Sequence, residues 1–117
     1  MRRRRGWKTR SNGNVMEIAV SDSSPLITLS RIGCLDLLAQ LFKTVHISSE
    51  VYGEVVTAGA GRPGAESVAL TSWIKVTPVQ SAAELERTAG HTGLGLGEVS
   101  AIQLAREMGV EVVLIDE

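Results

Sequence analysis

Two short apolar runs, one near each end of the chain, lead into an aspartate. Residues 15–20 read Val-Met-Glu-Ile-Ala-Val, and Asp22 follows after one serine. Residues 110–115 read Val-Glu-Val-Val-Leu-Ile, and Asp116 follows directly. Short runs rich in Val and Ile are typical of strands buried in a parallel sheet. Because ligands bind beyond the carboxyl ends of such strands, the two carboxylates suggest a site for a divalent metal.

Strands and helices alternate between these two runs. Further strands are predicted at 44–47 and 73–79, and helices at 24–42 with a break near Gly33, 48–56, 64–71, 81–89 and 97–108. Glycine-rich loops are predicted at 57–63 and 91–97. This alternation predicts one α/β domain over residues 16–117, with a largely parallel sheet of about four strands.

The first 15 residues differ from the rest in charge. Residues 1–15 carry six basic side chains and no acid, whereas residues 16–117 carry the other six and all 13 acids. The arginines at 2–5 could contact phosphates. We nevertheless expect this basic arm to be disordered and separate from the working domain. Because Met16 opens the first strand, translation could begin at Met1 or at Met16.

Composition argues against several classes of protein. No apolar run approaches the roughly 20 residues that span a bilayer, so we expect no membrane segment. The single cysteine, Cys34, allows no internal disulfide and fits a reducing, cytoplasmic location. The two histidines, His46 and His91, have no partner at metal-ligand spacing, which disfavours zinc.

Two glutamates extend the acidic set. Glu98 lies in the first turn of the last predicted helix, and by helical spacing it shares a face with Ala101, Ile102 and Ala105. We expect these three to pack on the sheet, so that Glu98 begins an otherwise apolar stripe. Glu54 borders the apolar edge of the helix after the second strand, and alone it would be read as a solvated side chain.

Four carboxylates that converge repel one another, and a bound divalent cation removes that penalty. Hard cations such as Mg²⁺ and Mn²⁺ prefer oxygen ligands and usually keep several waters. Such an ion activates water and stabilises charge on a phosphoryl group. The set Asp22, Glu54, Glu98 and Asp116 therefore predicts a Mg²⁺ or Mn²⁺ site.

Four segments resemble the acidic motifs of PIN-domain nucleases. They are Val-Ser-Asp-Ser-Ser-Pro-Leu-Ile at 20–27, Val-Tyr-Gly-Glu-Val at 51–55, Gly-Leu-Gly-Glu-Val-Ser-Ala-Ile-Gln-Leu-Ala at 95–105 and Val-Leu-Ile-Asp-Glu at 113–117. The resemblance covers about Met16 to Glu117. It is greatest to the toxin-like PIN proteins of type II toxin–antitoxin pairs.

The resemblance implies a three-layer α/β/α sandwich that acts as a metal-dependent ribonuclease on single-stranded RNA. Asp22, Glu54, Glu98 and Asp116 would bind one or two Mg²⁺ or Mn²⁺ ions, and a metal-activated water would attack the scissile phosphate. Ser24 would hydrogen-bond near Asp22 and the metal. A cognate antitoxin would be the protein partner, and a homodimer is a further expectation.

PIN domains normally continue after the fourth acid with another strand and helical segments. We therefore expect a C-terminally truncated domain whose last strand forms an exposed sheet edge. Two alternatives stay open. The chain could be an inactive fragment that binds only an antitoxin or a second copy. It could also be another α/β metal enzyme, such as a receiver domain or a phosphatase, although the latter would need an aspartate where Ser24 stands.

Overall fold

A mostly parallel sheet forms the centre of the molecule. The computed structural model describes residues 2–3 and 16–116. The strands of the described chain are β1 (Arg2–Arg3), β2 (Met16–Ser21), β3 (Phe42–Ile47), β4 (Ile74–Val76) and β5 (Val113–Ile115), in the spatial order β1-β5-β2-β3-β4. The strands β2 to β5 are all parallel. The predicted α/β class and its four parallel strands are confirmed.

Helices connect the strands and cover both faces of the sheet. In the described part of the chain they are α1 (Ser23–Arg31), α2 (Leu37–Leu41), α3 (Ser49–Tyr52), α4 (Ala65–Leu70), α5 (Ala82–Thr92) and α6 (Leu96–Met108). A π-helical turn, Gly53–Thr57, continues α3 directly. Gly109 ends α6 with φ of 70°, the left-handed conformation expected of a C-terminal glycine.

Side-chain alternation along the strands divides the core into two halves. In β2, Ala19 belongs to the core under α1 to α4, whereas the next residue, Val20, belongs to the core under α6. In β5, Leu114 packs on the first side and Val113 on the second. Because successive side chains of a strand point to opposite faces, both faces of the sheet are buried. The result is the three-layer α/β/α arrangement.

The free end of the sheet beside β5 differs from the prediction. We expected β5 to form an exposed edge, but β1 pairs with it in antiparallel register, Arg2 with Ile115 and Arg3 with Leu114. Paired backbone groups no longer offer a template to another chain. The predicted disorder of the basic arm otherwise concerns residues 4–15, which lie outside the described residues.

Several element predictions were wrong in detail, and they include the bounds of β3 and β4. The helix after β3 is not α-helical throughout, because Ala58 N–H donates to the carbonyl of Gly53, five residues earlier, at 2.7 Å. The helix α5 continues to Thr92, so the following loop is shorter than predicted. The last strand is Val113–Ile115 rather than 110–115, because pairing with β2 begins only at Val113.

A helix that crosses a bilayer must be both long and apolar. Among the helices of the described chain, none combines the two to the degree that crossing a bilayer requires.

Candidate active site at the carboxyl rim of the sheet

The sheet register brings Asp22 and Asp116 to the same rim. Ser21 pairs with Leu114 across the parallel strands β2 and β5, and the backbone N–H of Asp22 donates to the carbonyl of Leu114 at 3.0 Å. Asp116 lies two residues beyond Leu114. The two aspartates therefore leave neighbouring strands at their carboxyl ends, which is where open α/β sheets place their sites.

Asp22 is fixed by its position between β2 and α1. It is the N-cap of α1, and its Oδ1 accepts from the backbone N–H of Ser23 at 2.7 Å. Aspartate is favoured there because its oxygen satisfies a free N–H of the first turn. Asp22 is only 8% exposed, which makes it a buried acid. Its orientation is therefore set by the fold, and among the described residues its side-chain hydrogen bonds are made through Oδ1.

The serine predicted to support Asp22 is not the one that contacts it. Ser23 donates to Asp22 through its backbone and approaches Oδ1 with its hydroxyl at 3.5 Å. In the described chain no hydrogen bond joins Ser24 to Asp22, and the Ser24 side chain is exposed in the first turn of α1. The side chain that caps α1 is that of Asp22 itself.

The carboxylate of Glu54 lies over the start of α6. An ideal Cβ built on Gly97 would be 2.6 Å from Glu54 Oε2 and 2.7 Å from Glu54 Cδ, far inside van der Waals contact. Only glycine at position 97 leaves this room. Although Glu54 as a residue is exposed, its charged end therefore rests against the residue before Glu98. The positive end of the α6 dipole is a favourable place for that charge.

Glu98 is half-buried in the first turn of α6, as predicted, but its stripe is not the predicted one. Ala101 and Ala105 are buried against the sheet, whereas Ile102 is 45% exposed. The buried arc is displaced because α5 packs on the other flank of α6, so that Val99 is buried in place of Ile102. Glu98 thus lies at the border of the buried face.

A buried pair of hydroxyls, missed by the sequence analysis, joins the two glutamate-bearing helices. Ser48 follows β3 and caps α3, and its Oγ lies 2.6 Å from the Oγ of Ser100 in α6. Both serines are 0% exposed. A sequence signal existed for Ser100 alone, since it is a polar residue between positions of the apolar face of a helix. Its partner, 52 positions away, has no local signature.

The histidines do not join the acids. His46 lies in β3, and its Nδ1 is 2.8 Å from the hydroxyl of Thr77. Burial lowers the pKa of His46, and the nearby charge of Lys75 lowers it further. His91 is exposed at the end of α5, where its Nδ1 lies 2.7 Å from the carbonyl of Arg87. Both side chains thus have structural partners of their own.

The predicted acids have the right chemistry for a hard divalent cation, but in this structure they are not gathered around one point. Carboxylate oxygens are the ligands that Mg²⁺ and Mn²⁺ prefer. Over the described residues, however, no three acidic, histidine or cysteine side chains are gathered closely enough to hold an ion together. Asp22 and the exposed Asp116 lie at this rim. The Glu54 carboxylate lies against Gly97, and Glu98 follows Gly97 in the first turn of α6. Cation binding therefore requires these side chains to move toward one another.

The comparisons with known proteins agree with this geometry. A family model described as a PIN domain matches residues 18–117. The search of curated proteins and the search of solved structures gave no significant match. The matched range contains the four predicted acids and all of the parallel strands except the first two residues of β2. The chain belongs to the PIN-domain family.

Proposed function

We propose that this protein is a metal-dependent endoribonuclease that cleaves single-stranded RNA. Membership of the PIN-domain family suggests nucleic-acid binding and a nuclease-like fold, and PIN domains generally use divalent metals. The observation that carries the proposal is the position of the Glu54 carboxylate against Gly97, the residue before Glu98. The proposal puts an acid from the π-helical turn after α3 and an acid from α6 in one site, although 44 residues separate them in sequence.

In this proposal Asp22, Glu54, Glu98 and Asp116 hold one or two Mg²⁺ or Mn²⁺ ions. When bound, such a cation supplies positive charge that makes water more acidic and stabilises a phosphoryl group under attack. Asp22, which caps α1, would orient the other three acids. The Ser24 hydroxyl would hydrogen-bond at the edge of this site. The rim is otherwise acidic, so without a cation it would repel the phosphate backbone of RNA.

A toxin-like role would add protein partners. A cognate antitoxin would hold the nuclease inactive, and a second copy of the chain is the other expected partner. The support is the pair Leu94 and Ile102, each more than 40% exposed, which line one groove together with Val99 between α5 and α6. Contiguous apolar surface of this kind is typical of protein interfaces.

An RNA cleavage assay with the Asp22→Asn variant tests the proposal. Asparagine is as good an N-cap as aspartate, so the variant should fold while losing the negative charge. With Mn²⁺ and single-stranded RNA, we expect cleavage to fall by about 100-fold or more, since a metal ligand matters more than an outer-shell residue. Wild-type protein should also show a rise in melting temperature with Mn²⁺ that the variant lacks.

The matched control is Asp36→Asn. Asp36 is exposed before α2, and its side chain makes no capping hydrogen bond, so the change removes the same charge without touching the rim. Equal cleavage by wild type, Asp36→Asn and Asp22→Asn would show that the nuclease activity does not belong to this site. Absence of cleavage in all three would favour the inactive, partner-binding alternative.

A further inference from the structure

Four polar groups form a continuous hydrogen-bonded chain between α3 and α6. The backbone N–H of Val51 donates to Ser48 Oγ at 3.0 Å. Ser48 Oγ lies 2.6 Å from Ser100 Oγ. Ser100 Oγ donates to the carbonyl of Gly97 at 2.7 Å. We call this chain the serine relay.

The direction of the relay is fixed by its two ends. Ser100 donates its only hydroxyl proton to the carbonyl of Gly97, so its Oγ must accept a hydrogen bond from the hydroxyl of Ser48. Ser48 in turn accepts from Val51 and donates to Ser100. Every member is thus satisfied in a place where both hydroxyls are fully buried. A fully satisfied buried network holds its elements in one arrangement, because any slip leaves a polar group unpaired.

Each end of the relay touches a glutamate-bearing turn of the proposed active site. Val51 lies three residues before Glu54, at the point where α3 leads into the π-helical turn. Gly97 lies one residue before Glu98 and beneath the Glu54 carboxylate. The relay therefore connects the backbone that carries one acid to the backbone that carries the other.

We propose that Ser48 and Ser100 are positioning residues that set the separation of Glu54 and Glu98. This inference rests on the proposed function, since the two acids are taken as ligands of one metal site. Helix propensity and apolar packing alone would favour alanine at position 100. That residue lies inside a helix beside Ala101 and Leu104, where a buried hydroxyl adds nothing to apolar packing. Apolar contacts also permit small sliding, which directional hydrogen bonds resist.

The test compares Ser100→Ala with Ser81→Ala. Ser81 caps α5 by accepting from the backbone N–H of Glu84 at 3.1 Å, and its side chain takes no part in the relay. Ser100→Ala removes a buried hydroxyl and Ser81→Ala removes a half-buried one, so both variants should melt at a lower temperature than wild type. Only Ser100→Ala should also weaken Mn²⁺ affinity, by about 10-fold in titration calorimetry, as expected for a residue that orients ligands. Ser100→Cys keeps a side chain of similar size with a weaker donor, so its Mn²⁺ affinity should lie between those of wild type and Ser100→Ala.

A second readout needs no metal. The Glu54 carboxylate lies against Gly97, so its negative charge should shift the ¹H–¹⁵N resonance of Gly97. Glu54→Gln identifies this shift by abolishing it. We expect Ser100→Ala to diminish it and Ser81→Ala to leave it unchanged.

The two readouts separate failure of the inference from failure of the proposed function. If wild type binds no Mn²⁺ but the Gly97 shift depends on Ser100, the metal-site function is wrong and the positioning role stands. If Ser100→Ala keeps both the Mn²⁺ affinity and the Gly97 shift of wild type, the positioning role is overturned. Should Ser100→Ala fail to fold, the same two results in Ser100→Cys decide the matter.

Discussion

Replacing Gly97 with alanine tests whether the Glu54 carboxylate must lie at the start of α6. The added Cβ would come within 2.6 Å of Oε2 and 2.7 Å of Cδ, closer than real Cβ atoms approach such groups. The atoms in the way are the far end of a flexible side chain and not backbone. The carboxylate should therefore swing aside by rotation about its side-chain bonds, while the helix keeps its place.

The expected effects on stability and on metal binding have opposite signs. In a helix, alanine is more stable than glycine by about 1 kcal/mol. Gly97→Ala should therefore keep the melting temperature or raise it by up to roughly 4 °C in a domain of this size. Moving one carboxylate out of the site should weaken Mn²⁺ affinity by about 10- to 100-fold. General destabilisation could not produce this combination.

Gly90→Ala is the matched control for this experiment. Gly90 is exposed inside α5, and a Cβ there would meet nothing within 4 Å. The control should gain similar helix stability and bind Mn²⁺ as wild type does. Thermal melts and titration calorimetry on both variants give the comparison. Our reasoning about Glu54 is refuted if Gly97→Ala binds Mn²⁺ as tightly as Gly90→Ala.

Two further predictions concern stability. Gly59→Ala should destabilise the chain by about 1–3 kcal/mol in denaturant titrations, because its Cβ would press on the carbonyl backbone of Val55. Gly53→Ala, where nothing lies within 4 Å, should not, and equal effects would contradict the clash. Burial and then Lys75 lower the pKa of His46 below its ordinary 6.5, so the unfolded chain takes up the proton first as pH falls. The melting temperature should therefore fall as the pH is lowered below about 6.5, and it should level off at lower pH. His46→Gln should remove that part of the pH dependence.

Local sequence patterns were enough to predict the sheet and two of its acids. Val and Ile runs locate β2 and β5, and parallel pairing brings the residues after them to one rim whatever the loops do. Glycine at position 109 ends α6 because few other residues adopt its left-handed backbone. These features depend on residues close together in sequence, so a single chain reveals them.

The features that escaped prediction depend on contacts between distant segments. Ile102 was assigned to the core from the helical period alone, but the period does not reveal that α5 covers the other flank of α6. The π-helical turn changes the helical register after Gly53, and no residue type marks it. The position of the Glu54 carboxylate depends on that turn and on the missing side chain of Gly97. None of these was visible without the folded arrangement.

The first turn of α6 therefore combines several requirements that usually conflict. Gly97 must lack a side chain to admit Glu54, although glycine weakens a helix. Ser100 must be polar to reach Ser48, although its neighbours on the helix are buried and apolar. Each choice goes against the local preference of a helix, and each acts on a carboxylate of the proposed site. Because local preference and packing alone would favour alanine at both positions, their simplest common explanation is the placement of Glu54 beside Glu98.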